Sequence, residues 1–169
     1  MATAEESLMD WLRDAYAMEQ QAETMLHGQS QRLEHYPALQ RQIEKHLQET
    51  RQQAELLKRC IEARGGSTSA IKDMAGKMAA VGQAIGGMFV GDEVVKGSTA
   101  NYTFEHMEIA AYRVLIAAAE QVGDTETRSV CEQILRQEEA MANWLAEHLP
   151  STTQQYLSRE EAGSSTAKR

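Results

Sequence analysis

Four glutamates, Glu19, Glu49, Glu108 and Glu138, fall one to each of the four long amphipathic stretches of this 169-residue chain. Each stands in, or borders, a stripe of apolar residues. A carboxylate taken out of water costs several kcal/mol unless it is protonated, paired or bound to a metal. Four meeting in one core would repel one another, and too few inward-facing Lys or Arg residues are present to neutralise them. Two divalent cations would cancel four negative charges, and shells of carboxylate oxygen with some nitrogen suit iron and manganese. Taken singly, each glutamate reads as readily as a solvated residue at a helix edge, Glu49 and Glu138 above all. Their matched depth is what points to metal.

The neighbours extend the set. Glu105 stands one turn before Glu108 on nearly the same face, so the third stretch offers a pair of carboxylates. His46 precedes Glu49 by one turn and Gln53 follows it by one turn. A lone histidine inside a helix serves as a hydrogen-bonded core or surface residue as well as a ligand. His106 points roughly 100° away from Glu105, which gives it a supporting or packing role. His27, His35 and His148 fall near expected helix ends and read as surface residues. Tyr16 and Tyr112 either hydrogen-bond to the carboxylates or pack. The candidate metal ligands are Glu19, Glu49, Glu108, Glu138, Glu105 and His46, and the expected cofactor is iron, two ions per chain, or manganese.

The elements that must position these residues read as helix almost throughout. Leu8, Leu12, Ala15, Ala22 and Leu26 line a first helix from near Ala4, with Trp11, Met18 and Met25 widening its inward stripe. Leu33 keeps the phase, so this helix can run past Gly28 towards Pro37. A second helix begins at Pro37, where the missing N–H costs nothing, and ends at Gly65 and Gly66. Between Gly66 and Gly97, Ser67 and Ser69 can cap a weak, glycine-rich connector helix through Ile71, Met74, Met78, Val81 and Ile85. A third long helix is expected from about Ser98 to Val122. Gly123 and Asp124 make a tight link to a fourth, which should stop at Pro150 before a short C-terminal helix holding Tyr156 and Leu157. Two short-link pairs joined by a long crossover is the connectivity of ferritin-like four-helix bundles. The expected organisation is all-α, one domain over residues 1–162 and a disordered tail over 163–169.

Composition narrows the function. A net charge of −8 repels nucleic acid and anionic membrane surfaces and attracts cations. No basic start followed by an apolar run marks a signal peptide, and no stretch is long enough to span a bilayer. Cys60 and Cys131 form no CxxC pair and read as buried thiols in a reducing compartment, the cytoplasm. Met74, Met78 and Met88 read as core or interface rather than as a haem or copper box. No nucleophile constellation, phosphate loop or dinucleotide fingerprint competes.

The stretches Asp14-Ala15-Tyr16-Ala17-Met18-Glu19-Gln20-Gln21, His46-Leu47-Gln48-Glu49-Thr50, Glu105-His106-Met107-Glu108-Ile109-Ala110-Ala111-Tyr112 and Glu138-Glu139-Ala140-Met141-Ala142 resemble the YciE/YciF-type ferritin-like stress proteins of bacteria. The resemblance runs from about Leu8 to Leu149. It implies a dimeric ferritin-like fold, a part in stress responses and no assigned reaction. The wider relatives, rubrerythrins and ferritins, bind two irons and perform ferroxidase or peroxide chemistry. Their four glutamates match Glu19, Glu49, Glu108 and Glu138, and the extra glutamate of rubrerythrins matches Glu105. The usual Glu-x-x-His motifs are absent, because residue 52 is Gln and residue 141 is Met. His46, three residues before Glu49, can supply one nitrogen from the opposite side. The expectation is a carboxylate-rich dinuclear site that oxidises Fe(II) or turns over peroxide. The alternative is a non-catalytic dimeric stress protein that keeps the fold as an interaction scaffold.

Overall fold

Thr3 accepts a hydrogen bond from the Glu6 amide (3.1 Å) and donates its own amide to the Glu6 carboxylate (2.8 Å), a reciprocal cap that starts helix α1, Ala4–Ser30. This computed structural model describes residues 1–67, 93–163 and 165. The first helix ends at Ser30 rather than running on, and Leu33 reaches the core from the turn that follows. Helix α2, Pro37–Ala63, opens on its proline as expected. It closes on Gly65, whose φ of 75° is a left-handed conformation that a side chain would strain.

Helix α3, Glu93–Val122, begins more than a turn before Ser98. After Gly123 (φ 74°), Asp124 accepts from the Thr127 amide (2.9 Å) and hydroxyl (2.7 Å), starting helix α4, Thr125–Glu161. The same aspartate pairs with Arg64 at 2.6 Å, tying the end of α2 to the α3–α4 turn.

The expected stop at Pro150 does not occur: α4 runs through it as one helix. Proline removes one i→i−4 hydrogen bond and crowds the preceding turn, yet the continuation is held from outside. Tyr156 is buried against the α1–α2 turn, Gln155 donates to the His35 carbonyl (2.9 Å), and the Arg159 guanidinium lies 5.9 Å from the Tyr36 ring centroid. Around the proline, the Thr153 hydroxyl donates to the Leu149 carbonyl at 2.8 Å. Tertiary burial overrides the local stop signal.

Helix α1 packs against α2 and α3, and α4 against α3 and, less extensively, α2. The diagonals are therefore α1 with α4 and α2 with α3. The start of α1 lies at the end of α2, where a side chain on Gly66 would meet the Met9 sulfur. The end of α1 lies at the start of α3, where Asn101 donates to Gln29. Neighbouring helices are thus antiparallel, while the chain leaves α2 at one end of the bundle and enters α3 at the other. That is the long-crossover arrangement of a four-helix bundle. The expected connector helix through Ile71 and Ile85, and most of the expected tail, lie outside the described residues.

Two apolar clusters fill the bundle. One holds Leu8, Leu12, Leu57, Ile61, Leu115 and Ile134; the other holds Leu26, Leu33, Ile43, Leu47, Met141 and Leu145. Each such side chain contributes about 1.5–3 kcal/mol on burial. Trp11, expected to widen the inward stripe, is exposed instead. Cys60 and Cys131 are buried free thiols, and burial pushes Cys131 up to about 12. Among the described residues no strand forms, and no helix is long and apolar enough to cross a membrane.

Candidate metal centre

Side chains three and four residues apart share one face of a helix. On α2 the buried face runs Ile43, His46, Thr50, Gln53 and Leu57, so a polar layer interrupts an apolar stripe. Glu19 from α1, Glu105, Glu108 and Tyr112 from α3, and Glu138 from α4 meet this layer between the two apolar clusters. Glu19, His46, Gln53, Glu105, Glu108, Tyr112 and Glu138 each expose 2% or less of their surface.

His46 stands at the middle of the layer. Its Nδ1 lies 3.2 Å from Glu49 Oε2. Its Nε2 lies 3.2 Å from Glu105 Oε2 and 3.3 Å from Glu138 Oε2, without meeting hydrogen-bond geometry to either. Gln53 Nε2 donates to Glu138 Oε1 (2.5 Å) and to Gln137 Oε1 (3.1 Å). The Tyr112 hydroxyl donates to Glu19 Oε1.

One oxygen each of Glu19, Glu105, Glu108 and Glu138 is buried without a hydrogen-bond partner. Among the described residues no lysine or arginine pairs with these carboxylates; the ion-pairing Lys45 reaches only Glu49, at 3.3 Å. Buried polar atoms are normally satisfied, so this concentration of orphaned acceptors calls for a cation or for protons.

The electrostatics agree. Burial pushes Glu105 up to about 8, against the opposing pull of His46. Glu19 and Glu108 are raised well above the ordinary carboxylate range, first by burial and then by the charge of Glu138. Burial alone would lower His46, but Glu105, Glu138 and Glu49 outweigh it and hold the imidazole well above its ordinary value. Tyr112 is pushed up by burial and by Glu19. Raised in this way, Glu19, Glu105 and Glu108 hold a proton to higher pH than an exposed carboxylate does.

The donor set fits such an ion. His46, Glu105, Glu108 and Glu138 each bring one ligating atom to within 4.8 Å of the others. Oxygen and nitrogen ligands roughly 2.0–2.2 Å from a divalent ion stand about 3 Å apart when adjacent and about 4.4 Å apart when opposite, so the four donors would draw inward on binding. Glu19 borders this group, with its second oxygen unpartnered.

The structure brings together Glu19, His46, Glu105, Glu108 and Glu138, and places Glu49 differently. Its side chain is 20% exposed and stands between Lys45 and His46, on the face of α2 from which Gln42 and Gln53 reach α4. Glu138, the other suspected edge residue, is fully buried. The hydrogen bond from His46 holds Glu49 below the usual carboxylate range. Residue 52 is exposed, so no imidazole there would reach the layer. On α2, His46 occupies the buried position that faces Glu138.

Gln53 belongs to the site as the hydrogen-bond donor to Glu138, a role the spacing alone does not assign. The signal was present, since a polar residue recurs at positions 46, 50 and 53 of one stripe, but an amide carries no charge to attract notice. Tyr112 is a hydrogen-bond partner of the site, whereas among the described residues the Tyr16 hydroxyl accepts from exposed Gln20 at 3.4 Å. His106 is exposed and meets the Tyr102 ring edge-on. His148, within α4, stacks on Trp144.

The profile of a family described as a domain of unknown function (DUF892) matches residues 3–158. A protein of Xanthomonas campestris pv. campestris of known structure is 42% identical, covering 94% of this chain and 99% of its own, with a TM-score of 0.80. YcfI of Rhodopseudomonas palustris, suggested to be a structural protein, is 28% identical over 86% of this chain and 94% of its own, TM-score 0.69. The stress protein YciF of E. coli is similar in fold, with a TM-score of 0.76 over 88% of this chain and 96% of its own at 24% identity.

Proposed function

The chain belongs to the DUF892 family of YciE/YciF-type proteins, and we propose that it is a ferritin-like stress-response protein whose buried carboxylate layer holds iron or manganese. The observation that carries this reading is the set of four buried carboxylates with no lysine or arginine paired to them among the described residues, where Glu19 and Glu108 each keep an oxygen without a hydrogen bond and Glu105 and Glu138 share the one imidazole of His46. Glu105, Glu108, Glu138 and His46 would form the first ion's shell, and Glu19 would extend it towards a second. Iron held there supplies one-electron redox chemistry towards peroxide or oxygen, at positions that an incomplete protein shell leaves open.

The chain's own residues prepare that chemistry. Tyr112 orients Glu19, whose second oxygen accepts no hydrogen bond, and Gln53 orients Glu138, whose second oxygen lies 3.3 Å from His46 Nε2. The apolar clusters above and below exclude water, which strengthens every charge interaction within the layer.

A second reading, a homodimeric scaffold without catalysis, is favoured by Met141. It stands one turn after Glu138, where the wider relatives have an imidazole, and it takes a contact from the Gln42 amide at 3.5 Å instead. Anaerobic loading with Fe(II), followed by elemental analysis and oxidation under peroxide or oxygen, separates the two. The metal reading expects about two irons per chain, matching the buried negative charge, a raised melting temperature and faster oxidation with peroxide. Absence of bound metal, with oxidation no faster than in buffer, leaves the scaffold.

A further inference from the structure

Resting on the metal-site reading, we propose that the α2/α4 seam at Glu49 is the route by which a divalent cation enters the site, and that Glu49 is its capture residue rather than a resident ligand. Of the carboxylates around the layer, Glu49 is the one with substantial exposure, at 20% for its side chain against 3% for Glu105 and 0% for Glu138. It nevertheless touches the layer directly, because its Oε2 lies 3.2 Å from His46 Nδ1. His46 in turn reaches Glu105 and Glu138 through Nε2. A continuous line of metal-binding atoms thus leads from solvent to the buried carboxylates.

Among the described residues, two other approaches are closed. Along the bundle axis, the two apolar clusters would force an ion to shed its water with nothing in exchange. Glu19, at the α1 side, exposes 1% of its surface and is covered by Tyr112. The α2/α4 seam differs in composition. Gln42, seven residues before Glu49, and Gln53, four after it, meet Met141 and Gln137 of α4 across the seam, and the Gln53 amide oxygen has no hydrogen-bond partner, so it can replace hydration water as the ion passes.

Lys45 sets the gain of this entrance. It is exposed and pairs with Glu49 Oε1 at 3.3 Å, so an arriving cation must displace an ammonium group. Removing the lysine should speed entry, and removing the glutamate charge should slow it. Opposite effects from neighbouring substitutions are what an entrance predicts and a merely structural ion pair does not.

The test is stopped-flow uptake of Co(II) by the metal-free full-length protein, with the dissociation constant measured separately by calorimetry. Glu49→Gln should slow uptake by about tenfold and flatten its dependence on salt. Lys45→Gln should speed uptake by about threefold. Lys45→Gln should bind Co(II) at equilibrium with an affinity within about threefold of the parent protein, whereas Glu49→Gln, which removes the partner of His46 Nδ1, should weaken binding by no more than about tenfold. Parent-like uptake rates in both variants overturn the entrance while leaving the metal site intact. An unchanged uptake rate with a large loss of affinity in Glu49→Gln also overturns it, by making Glu49 a ligand. Failure of the unsubstituted protein to take up Co(II) removes the metal site itself, and the entrance with it.

Discussion

Glu108 has one carboxylate oxygen that accepts no hydrogen bond, and its electrostatic neighbours include Glu138, Glu19 and Glu105. Its charge is useful only when a cation is present. Substituting Glu108→Gln keeps the shape and removes the charge, so the metal-free protein should gain about 1–3 kcal/mol, or roughly 3–10 °C in melting temperature. The same variant should lose any rise in melting temperature on adding metal. Differential scanning calorimetry with and without Mn(II) reads both effects, and a variant that keeps the full metal-dependent rise removes Glu108 from the site. The residues legible at this scale were the charged ones inside apolar stripes. Gln53 and Tyr112 became part of the site only when neighbouring helices placed Glu138 and Glu19 within reach.

At the scale of the helix, α4 shows how far a local rule extends. Pro150 is a proper stop signal for an isolated segment, since it removes a hydrogen bond and crowds the turn before it. The helix continues because Tyr156 finds a pocket against Leu33, Tyr36 and Leu39, elements more than a hundred residues away in sequence. Tyr156→Ala should therefore cost about 3–5 kcal/mol and reduce helical circular dichroism more than a surface substitution does. Loss of stability without loss of helicity would mean that the segment after Pro150 holds its own conformation. On α2, the phase was readable but not its zero point. Sequence placed Glu49 in or at the border of the stripe and equally at a solvated edge, and packing decides for the edge, with Gln53 rather than Glu49 among the buried residues of α2.

Across the whole molecule, the buried layer couples stability to pH. Glu105 is raised from the usual carboxylate value of 4.5 to about 8, so between those values the folded metal-free protein binds the proton that the unfolded chain releases. Stability must fall as pH rises through that window, by up to about 1.4 kcal/mol per pH unit for each such group. Glu19 and Glu108 are raised by the same cause and act in the same direction. His46, also raised, contributes stability below its ordinary pKa that is lost as pH climbs through its folded value. Thermal melts of metal-free protein should therefore fall steadily from about pH 5 to pH 8. Saturating Mn(II) should flatten the slope, because the ion replaces the protons. A metal-free profile that rises with pH would place these carboxylates outside the buried layer.

The sequence by itself determined the helices, their short links, the crossover connectivity and the convergence of Glu19, Glu105, Glu108 and Glu138. All of these follow from periodicity, from glycine and proline at helix ends, and from the rarity of carboxylates within apolar stripes. Tertiary structure alone decided that His46 stands between Glu105 and Glu138, that of the two suspected edge residues Glu49 keeps its exposure and Glu138 is buried, and that α4 passes through Pro150. The physical reason is one of range. A helix repeats every 3.6 residues whatever surrounds it. Which side of a residue becomes its inside is set by the neighbouring helices, and those neighbours are distant in sequence.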